Sequence, residues 1–349
     1  MIRVLIVDDS ATARTLLASI LAADPAIQVV GEAGDGLEAI AMTQQLHPDL
    51  VTMDLHMPRL DGLEATREIM ITTPTPIVII TGTTRLREVK ESLETLRVGA
   101  LDVVVKPPGP KSPGFTVAAE HLVATVKALS QVKVVRHWRP VAPVPTAESA
   151  PALVPRGAVR GRIVAIAAST GGPAALQSLL AGLPADFALP ILVVQHITPG
   201  FISGLASWLN ATTALHVKVA EEGERLTPRT VLMAPDHRHL GISGRGTVLL
   251  SSAAPIGGFR PSASFLFESV GRTFGGGAVA VILSGMGDDG VEGLQTVRRT
   301  GGRVIAQDET TSVIFGMPGA AVAAGLVDLV EPLPSIAASL VALASGRKD

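Results

Sequence analysis

Short apolar runs, each followed by a stretch of helical length, set the rhythm of the N-terminal part of the chain: Val4 to Val7, Val29 to Val30, Leu50 to Met53, Ile77 to Ile80 and Val103 to Val105. This alternation predicts βαβ units and a parallel sheet. The C-terminal part repeats it, with buried-strand candidates at Ile163 to Ala167, Ile191 to Val194, Val231 to Met233, Val279 to Leu283 and Arg303 to Ala306. The pattern therefore predicts an α/β protein with two doubly wound parallel-sheet domains. In such sheets ligands and chemistry gather at the carboxyl ends of strands, so the residues directly after each apolar run carry the functional information.

Between the two parts the pattern lapses. Pro140, Pro143, Pro145, Pro151 and Pro155 stand among small residues, and residues 131 to 162 carry six bases and one acid, against 11 and 16 before them and 12 and 14 after. Such a segment favours extended conformations and builds no core. The division is thus a domain over residues 1–130, a Pro-rich linker over 131–159 and a second domain over 160–349, with Trp138 the one residue in the linker suited to dock on a domain.

Composition narrows the function. Of 349 residues 47% are hydrophobic and 17% charged, and Gly (35) and Pro (25) together stay below the ~25–30% that marks low-complexity chains. The net charge of −2 gives no footprint for nucleic acid or an anionic membrane surface. With no Cys, catalysis must use other nucleophiles and bases. Two acids, Asp8 and Asp9, interrupt the first apolar run, and no run approaches the ~18 residues needed to span a bilayer. A cytoplasmic protein is expected, without nucleic-acid partners or direct membrane insertion.

At the ends of the N-terminal runs stand Asp8 and Asp9, then Asp54, Thr81 and Lys106. Each alone fits a helix cap or a solvated loop. Together they place three repelling carboxylates at one sheet edge, a donor set for a hard divalent cation such as Mg2+, beside a hydroxyl and an ammonium that can hold phosphate oxygens. Val7-Asp8-Asp9-Ser10, Met53-Asp54-Leu55-His56-Met57-Pro58-Arg59-Leu60-Asp61-Gly62, Ile80-Thr81-Gly82 and Val105-Lys106-Pro107 make residues 1–130 resemble the flavodoxin-like receiver domain of bacterial response regulators. The resemblance implies phosphoryl transfer from a histidine kinase to Asp54. It also implies Mg2+ held by Asp9, Asp54 and the backbone carbonyl of His56 with help from Asp8, and a phosphate sensed by Thr81 and Lys106.

In the second domain, the run ending at Ala168 leads into Ser169-Thr170-Gly171-Gly172-Pro173, a strand, a Ser and a Gly turn into a helix. A helix N-cap explains such a Ser as well as a nucleophile does. The spacing is neither a phosphate-binding Gly loop nor the G-x-S-x-G elbow. Partners stand at matching positions: His196 after Ile191 to Gln195, and Asp288 and Asp289 after Val281 to Gly287. Ser, His and one of the two acids, brought to one edge, would supply a nucleophile, a base and a group that fixes the imidazole tautomer.

These motifs, with Pro199-Gly200-Phe201, Ala234-Pro235 with His239, and Phe315-Gly316-Met317-Pro318, make residues 160–345 resemble the Rossmann-like catalytic domain of the chemotaxis protein-glutamate methylesterases, the CheB family. The resemblance implies a phosphorylation-activated serine hydrolase acting on methylated chemoreceptors and releasing methanol, and extends to deamidation of specific glutamines. Carried over, Ser169 is the nucleophile, His196 the base, Asp289 rather than Asp288 the orienting acid, and the Met286 amide the oxyanion donor, with no cofactor for the esterase step. The chain departs from the family around Arg260-Pro261-Ser262: Gly257, Gly258 and Phe259 replace polar residues, and Ser264 stands where an Asp is usual. His237 and His239 form a His-x-His pair without an evident third metal ligand, which points to a structural or substrate-rim role. The rival reading is a non-enzymatic response-regulator adaptor with a degenerate hydrolase-like domain.

Overall fold

A computed structural model describes residues 1–82, 86–132, 134 and 161–345. The expected linker, Trp138 included, lies outside the described residues except at 131, 132 and 134. The chain divides into two compact units, Met1–Ala147 and Glu148–Asp349.

The first unit is a five-stranded sheet of β1 (Ile2–Val7), β2 (Ile27–Ala33), β3 (Leu50–Met53), β4 (Ile77–Thr81) and β5 (Asp102–Val105), with helices α1 (Ala11–Ala22), α2 (Gly36–Leu46), α3 (Gly62–Thr72), α4 (Leu86–Arg97) and α5 (Phe115–Leu129). The strand order is β2-β1-β3-β4-β5 and every pairing is parallel. Both faces are covered, which is why β3 and β4 are apolar but for Thr52 and Thr81 and buried along their whole length. The order reverses between β1 and β3, so the crevice of this sheet opens where Asp8, Asp9 and Asp54 emerge. Asp35 and Asp61 cap α2 and α3 by accepting hydrogen bonds from backbone amides of the first turn.

The second unit holds a seven-stranded sheet, ordered β14-β13-β12-β6-β7-β9-β8, again parallel throughout. Its strands are β6 (Ile163–Ala168), β7 (Ile191–Gln195), β8 (His216–Val219), β9 (Thr230–Met233), β12 (Ala278–Ile282), β13 (Arg303–Gln307) and β14 (Leu329–Glu331). Between β9 and β12 the chain forms an antiparallel hairpin of β10 (His239–Ile242) and β11 (Val248–Ser251). The helices are α6 (Gly172–Ala181), α7 (Ile202–Thr212), α8 (Ala263–Phe274), α9 (Val291–Arg299), α10 (Met317–Ala323) and α11 (Leu333–Ser345). The reversal of order falls between β6 and β12, beside Ser169.

The core under this edge joins Leu192, Val194, Leu232 and Ile282 of the sheet to Leu266 and Phe267 of α8. Phe267 is fully buried, and its ring lies so close to Gly290 that an added Cβ there would come within 3.0 Å of it. Truncation of a buried Phe removes apolar contact and leaves a cavity, so Phe267→Ala is expected to cost about 3–5 kcal/mol. Chemical denaturation of the two proteins side by side measures it, and a loss below about 1 kcal/mol would be that of a site that collapses without a cavity.

Candidate functional site

In the N-terminal unit, one carboxylate oxygen from each of Asp8, Asp9 and Asp54 lies within 4.8 Å of the other two. Asp8 is fully buried, Asp54 nearly so, and Asp9 exposed. Lys106, directly after β5, places Nζ 2.7 Å from Asp8 Oδ2 and 3.0 Å from Asp54 Oδ2. One ammonium thus stands against three carboxylates, a hard-oxygen donor set with charge to spare for a divalent cation, and the residues fit Mg2+. Burial is the largest influence on the Asp54 carboxyl and, with the Asp8 charge beside it, holds the group above the ordinary carboxylate range in spite of Lys106. Burial opposes the Lys106 charge too, but the hydrogen bond to Asp8 and the Asp54 charge outweigh it and raise the ammonium above its ordinary value.

Thr81, the last residue of β4, is buried, and its carbonyl accepts from the Lys106 N–H at 2.7 Å. His56 is not part of the carboxylate cluster: its imidazole is exposed and lies 3.7 Å from Glu91 Oε2. Gly62 explains itself here, because a Cβ at that position would fall 2.1 Å from the Asp54 carbonyl oxygen.

In the C-terminal unit, Ala168 of β6 is paired with Gln195 of β7, so Ser169 and His196 directly follow a paired position on adjacent strands, and His196 N–H donates to Ala168 O at 2.9 Å. The turn after β6 is tight: Gly172 N–H donates to Ser169 O at 2.8 Å, and Gly171 takes the left-handed conformation (φ 75°), with Val313 so near that a side chain there would collide. Gln195 Nε2 donates to both Ser169 O and His196 O at 2.8 Å, locking the two strand ends together. On the other side, Ser169 N–H donates to Ser284 O at 3.0 Å, while Ser284 Oγ donates to Thr170 O at 2.8 Å and accepts from Ile314 N–H at 2.9 Å. The half-buried Met286 follows on this loop, after a Gly285 whose added Cβ would come within 2.7 Å of Ser169 Cβ.

His196 Nε2 lies 3.0 Å from Asp289 Oδ2, a close but oblique pairing. Asp288 is exposed, whereas Asp289 is buried in a cradle built by the start of α8. Ser262 Oγ and Ser264 N–H donate to Oδ1 at 2.8 and 3.1 Å, and Ala263 N–H donates to Oδ2 at 2.7 Å. Burial is the largest single influence on this carboxyl and pushes its pKa up. His196, the Ala263 amide and Ser262 together outweigh it and hold the carboxylate below its ordinary range. The positive end of α8 acts in the same direction.

Sequence reasoning brought out Ser169, His196 and the two acids, but not Ser262, Gln195 or Ser284, which fix them. A Pro-Ser step before an amphipathic run signals an N-cap, and so could have marked Ser262 as the start of α8. Ser264 makes a positioning contact, since its Oγ accepts from Gly290 N–H at 3.0 Å. Phe259 stacks on the His196 ring with centroids 4.3 Å apart and planes 12° from parallel. His239 is no metal ligand here: it is fully buried, its Nδ1 accepts from Ser262 N–H at 3.2 Å, and its Nε2 faces Ala254 O at 3.1 Å.

Residues 164–340 match the family model described as CheB methylesterase, and residues 4–112 that described as response regulator receiver domain. The chain is 52% identical to protein-glutamate methylesterase/protein-glutamine glutaminase 4 of Myxococcus xanthus (strain DK1622), over 99% of this chain and 98% of that protein. It is 54% identical to protein-glutamate methylesterase/protein-glutamine glutaminase 3 of Anaeromyxobacter dehalogenans (strain 2CP-C), over 95% of each. Among solved structures, the CheB methylesterase catalytic domain of Thermotoga maritima aligns over its whole length and 53% of this chain, with 41% identity and a TM-score of 0.51.

Proposed function

The chain belongs to the CheB methylesterase family, and from that premise we propose how its own residues carry out and control the reaction. The protein is a protein-glutamate methylesterase with a response regulator receiver domain, acting in chemotaxis adaptation. Its substrates are glutamyl methyl esters on chemoreceptors, and the same acyl chemistry covers deamidation of glutamine side chains.

Ser169 Oγ attacks the ester carbonyl while His196 takes its proton. Because the Asp289 carboxylate only accepts at Nε2, that nitrogen carries the N–H and Nδ1 is left basic toward Ser169. The Met286 N–H donates to the oxyanion that forms. The proton held by His196 then leaves with methanol, and a water activated by the same imidazole releases the glutamate and restores Ser169. With a glutamine side chain the leaving group is ammonia. The observation that carries this reading is the set of three residues at the reversal of strand order: Ser169 and His196 on adjacent strand ends, and Asp289 buried 3.0 Å from the imidazole. Methanol release from purified methylated receptor tests it, and a chain without turnover would be the adaptor instead.

In the receiver, Asp54 accepts a phosphoryl group from the histidine kinase of the same system. Asp8, Asp9, Asp54 and the His56 carbonyl would hold Mg2+, which when bound offsets the negative charge of an incoming phosphoryl group. Lys106, now shared between Asp8 and Asp54, is within reach of a phosphate on Asp54, and Thr81 ends the neighbouring strand. Phosphorylation raises esterase turnover in this reading. Asp54→Asn should therefore keep basal methanol release but lose all response to a phosphoryl donor, and chelation of divalent cations should have the same effect on the parent protein. A donor response that survives in Asp54→Asn would place the phosphoryl acceptor elsewhere.

A further inference from the structure

We infer that Phe259 is a positioning residue for the hydrolysis, holding the His196 imidazole in the plane from which it serves Ser169 and Asp289; this rests on the triad reading given above. The ring of Phe259 covers one face of the imidazole, at 4.3 Å and 12°. Parallel stacking resists tipping of the imidazole out of its plane more than rotation within it, and in-plane rotation is what an oblique Nε2–Asp289 pairing needs in order to straighten when substrate arrives.

The segment that carries Phe259 is built to hold it there. Ile256 N–H donates to Phe259 O at 3.1 Å and Phe259 N–H donates to Ile256 O at 2.9 Å, closing a two-residue turn. Its central residues, Gly257 and Gly258, have φ of 57° and 87°, and an added Cβ on either would meet nothing within 4 Å. Glycine is needed there for the backbone and not for space. Both ends of the segment are tied to one buried side chain, His239, through Ala254 O and Ser262 N–H. Arg260 Nη1 adds hydrogen bonds to Ser252 O and Ala253 O at 3.3 and 3.2 Å.

The same stretch ends in Ser262, whose hydroxyl binds Asp289. One tethered loop therefore sets both restraints on His196, the ring over its face and the acid at its edge. Gly257, Gly258 and Phe259 together make the stack, the glycines by closing the turn and the phenylalanine by its ring.

The test uses the full-length protein, steady-state methanol release from methylated receptor, and variants chosen to separate a flat ring from mere apolar bulk. Phe259→Leu should lower kcat about 10- to 100-fold, the scale of a small misplacement of a reacting group, with KM changed less than about 3-fold. Phe259→Tyr, which keeps the stack, should retain most of the activity. Gly258→Val, which leaves the ring but strains the turn, should fall with Phe259→Leu. In NMR spectra, the His196 ring proton shielded by the stack should shift in the Leu variant and stay in place in the Tyr variant.

Parental kcat in Phe259→Leu, or equal losses in the Leu and Tyr variants, would overturn the proposal. Ser169→Ala run in parallel separates this from a failure of the triad: an inactive Ser169→Ala beside a fully active Phe259→Leu removes only the role of Phe259, whereas an active Ser169→Ala removes both.

Discussion

Ser169→Ala should leave a folded protein whose methanol release is lost to the limit of detection. The oxygen that forms the acyl bond is gone, and the nearby Ser284 hydroxyl cannot stand in for it, because it is occupied with Thr170 O and Ile314 N–H. Loss of a triad nucleophile costs on the order of 10^6 in kcat, equivalent to about 8 kcal/mol of barrier. Little structural cost accompanies it, since the backbone contacts of Ser169, not its hydroxyl, close the turn into α6. Turnover within a factor of about 100 of the parent would be too much for residual oxyanion and binding effects, and would exclude a serine nucleophile.

Asp289→Asn should be the second most damaging change, with a loss of about 10^4 in kcat, while Asp288→Asn should leave turnover near that of the parent. The amide that replaces Oδ2 can present N–H groups to His196 Nε2. The imidazole would then adopt the tautomer protonated on Nδ1, the nitrogen that has to accept from Ser169. The cradle suffers as well. Ser262 Oγ, Ala263 N–H and Ser264 N–H all donate to the two carboxylate oxygens, and an amide offers one oxygen in place of two. A donor left buried without an acceptor costs about 1–3 kcal/mol, so a lowered unfolding midpoint should accompany the kinetic loss. Comparison of Asp289→Asn with Ser262→Ala, which removes one cradle donor and leaves the carboxylate, separates the kinetic effect from the structural one. Equal kinetic losses at 288 and 289 would contradict the assignment of the acid.

The central strands were legible in the sequence because strands buried on both faces must be largely apolar, as β6 and β12 are throughout and β3 is but for Thr52. The strands that were not legible lie at edges or outside the sheet. β8 begins with an exposed His216, β14 has three residues of mixed burial, and the β10–β11 hairpin packs on α8 rather than in the main sheet. β2 extends well beyond Val29 and Val30, but as an edge strand it includes the exposed Gln28 and Glu32 and buries fully only its two ends, so its apolar run is short. Site residues that end a strand could be found by position alone, as with Asp54, Ser169 and His196. Residues that act through tertiary contact could not. Nothing local in Phe259 announces a histidine under its ring, and Ser262 meets Asp289 across 27 positions of chain.

The parallel pairing of β7, β6 and β12 has a consequence for how the enzyme fails. Its nucleophile, base and acid belong to both halves of the doubly wound sheet, and the acid is held by a helix that lies between them in the chain. No fragment that ends before β12 contains a complete set, and local melting of either half separates groups that must lie within a few ångströms. Hydrolysis is therefore a sensitive gauge of cooperative integrity: on titration with denaturant, activity should vanish no later than the spectroscopic signal of the sheet.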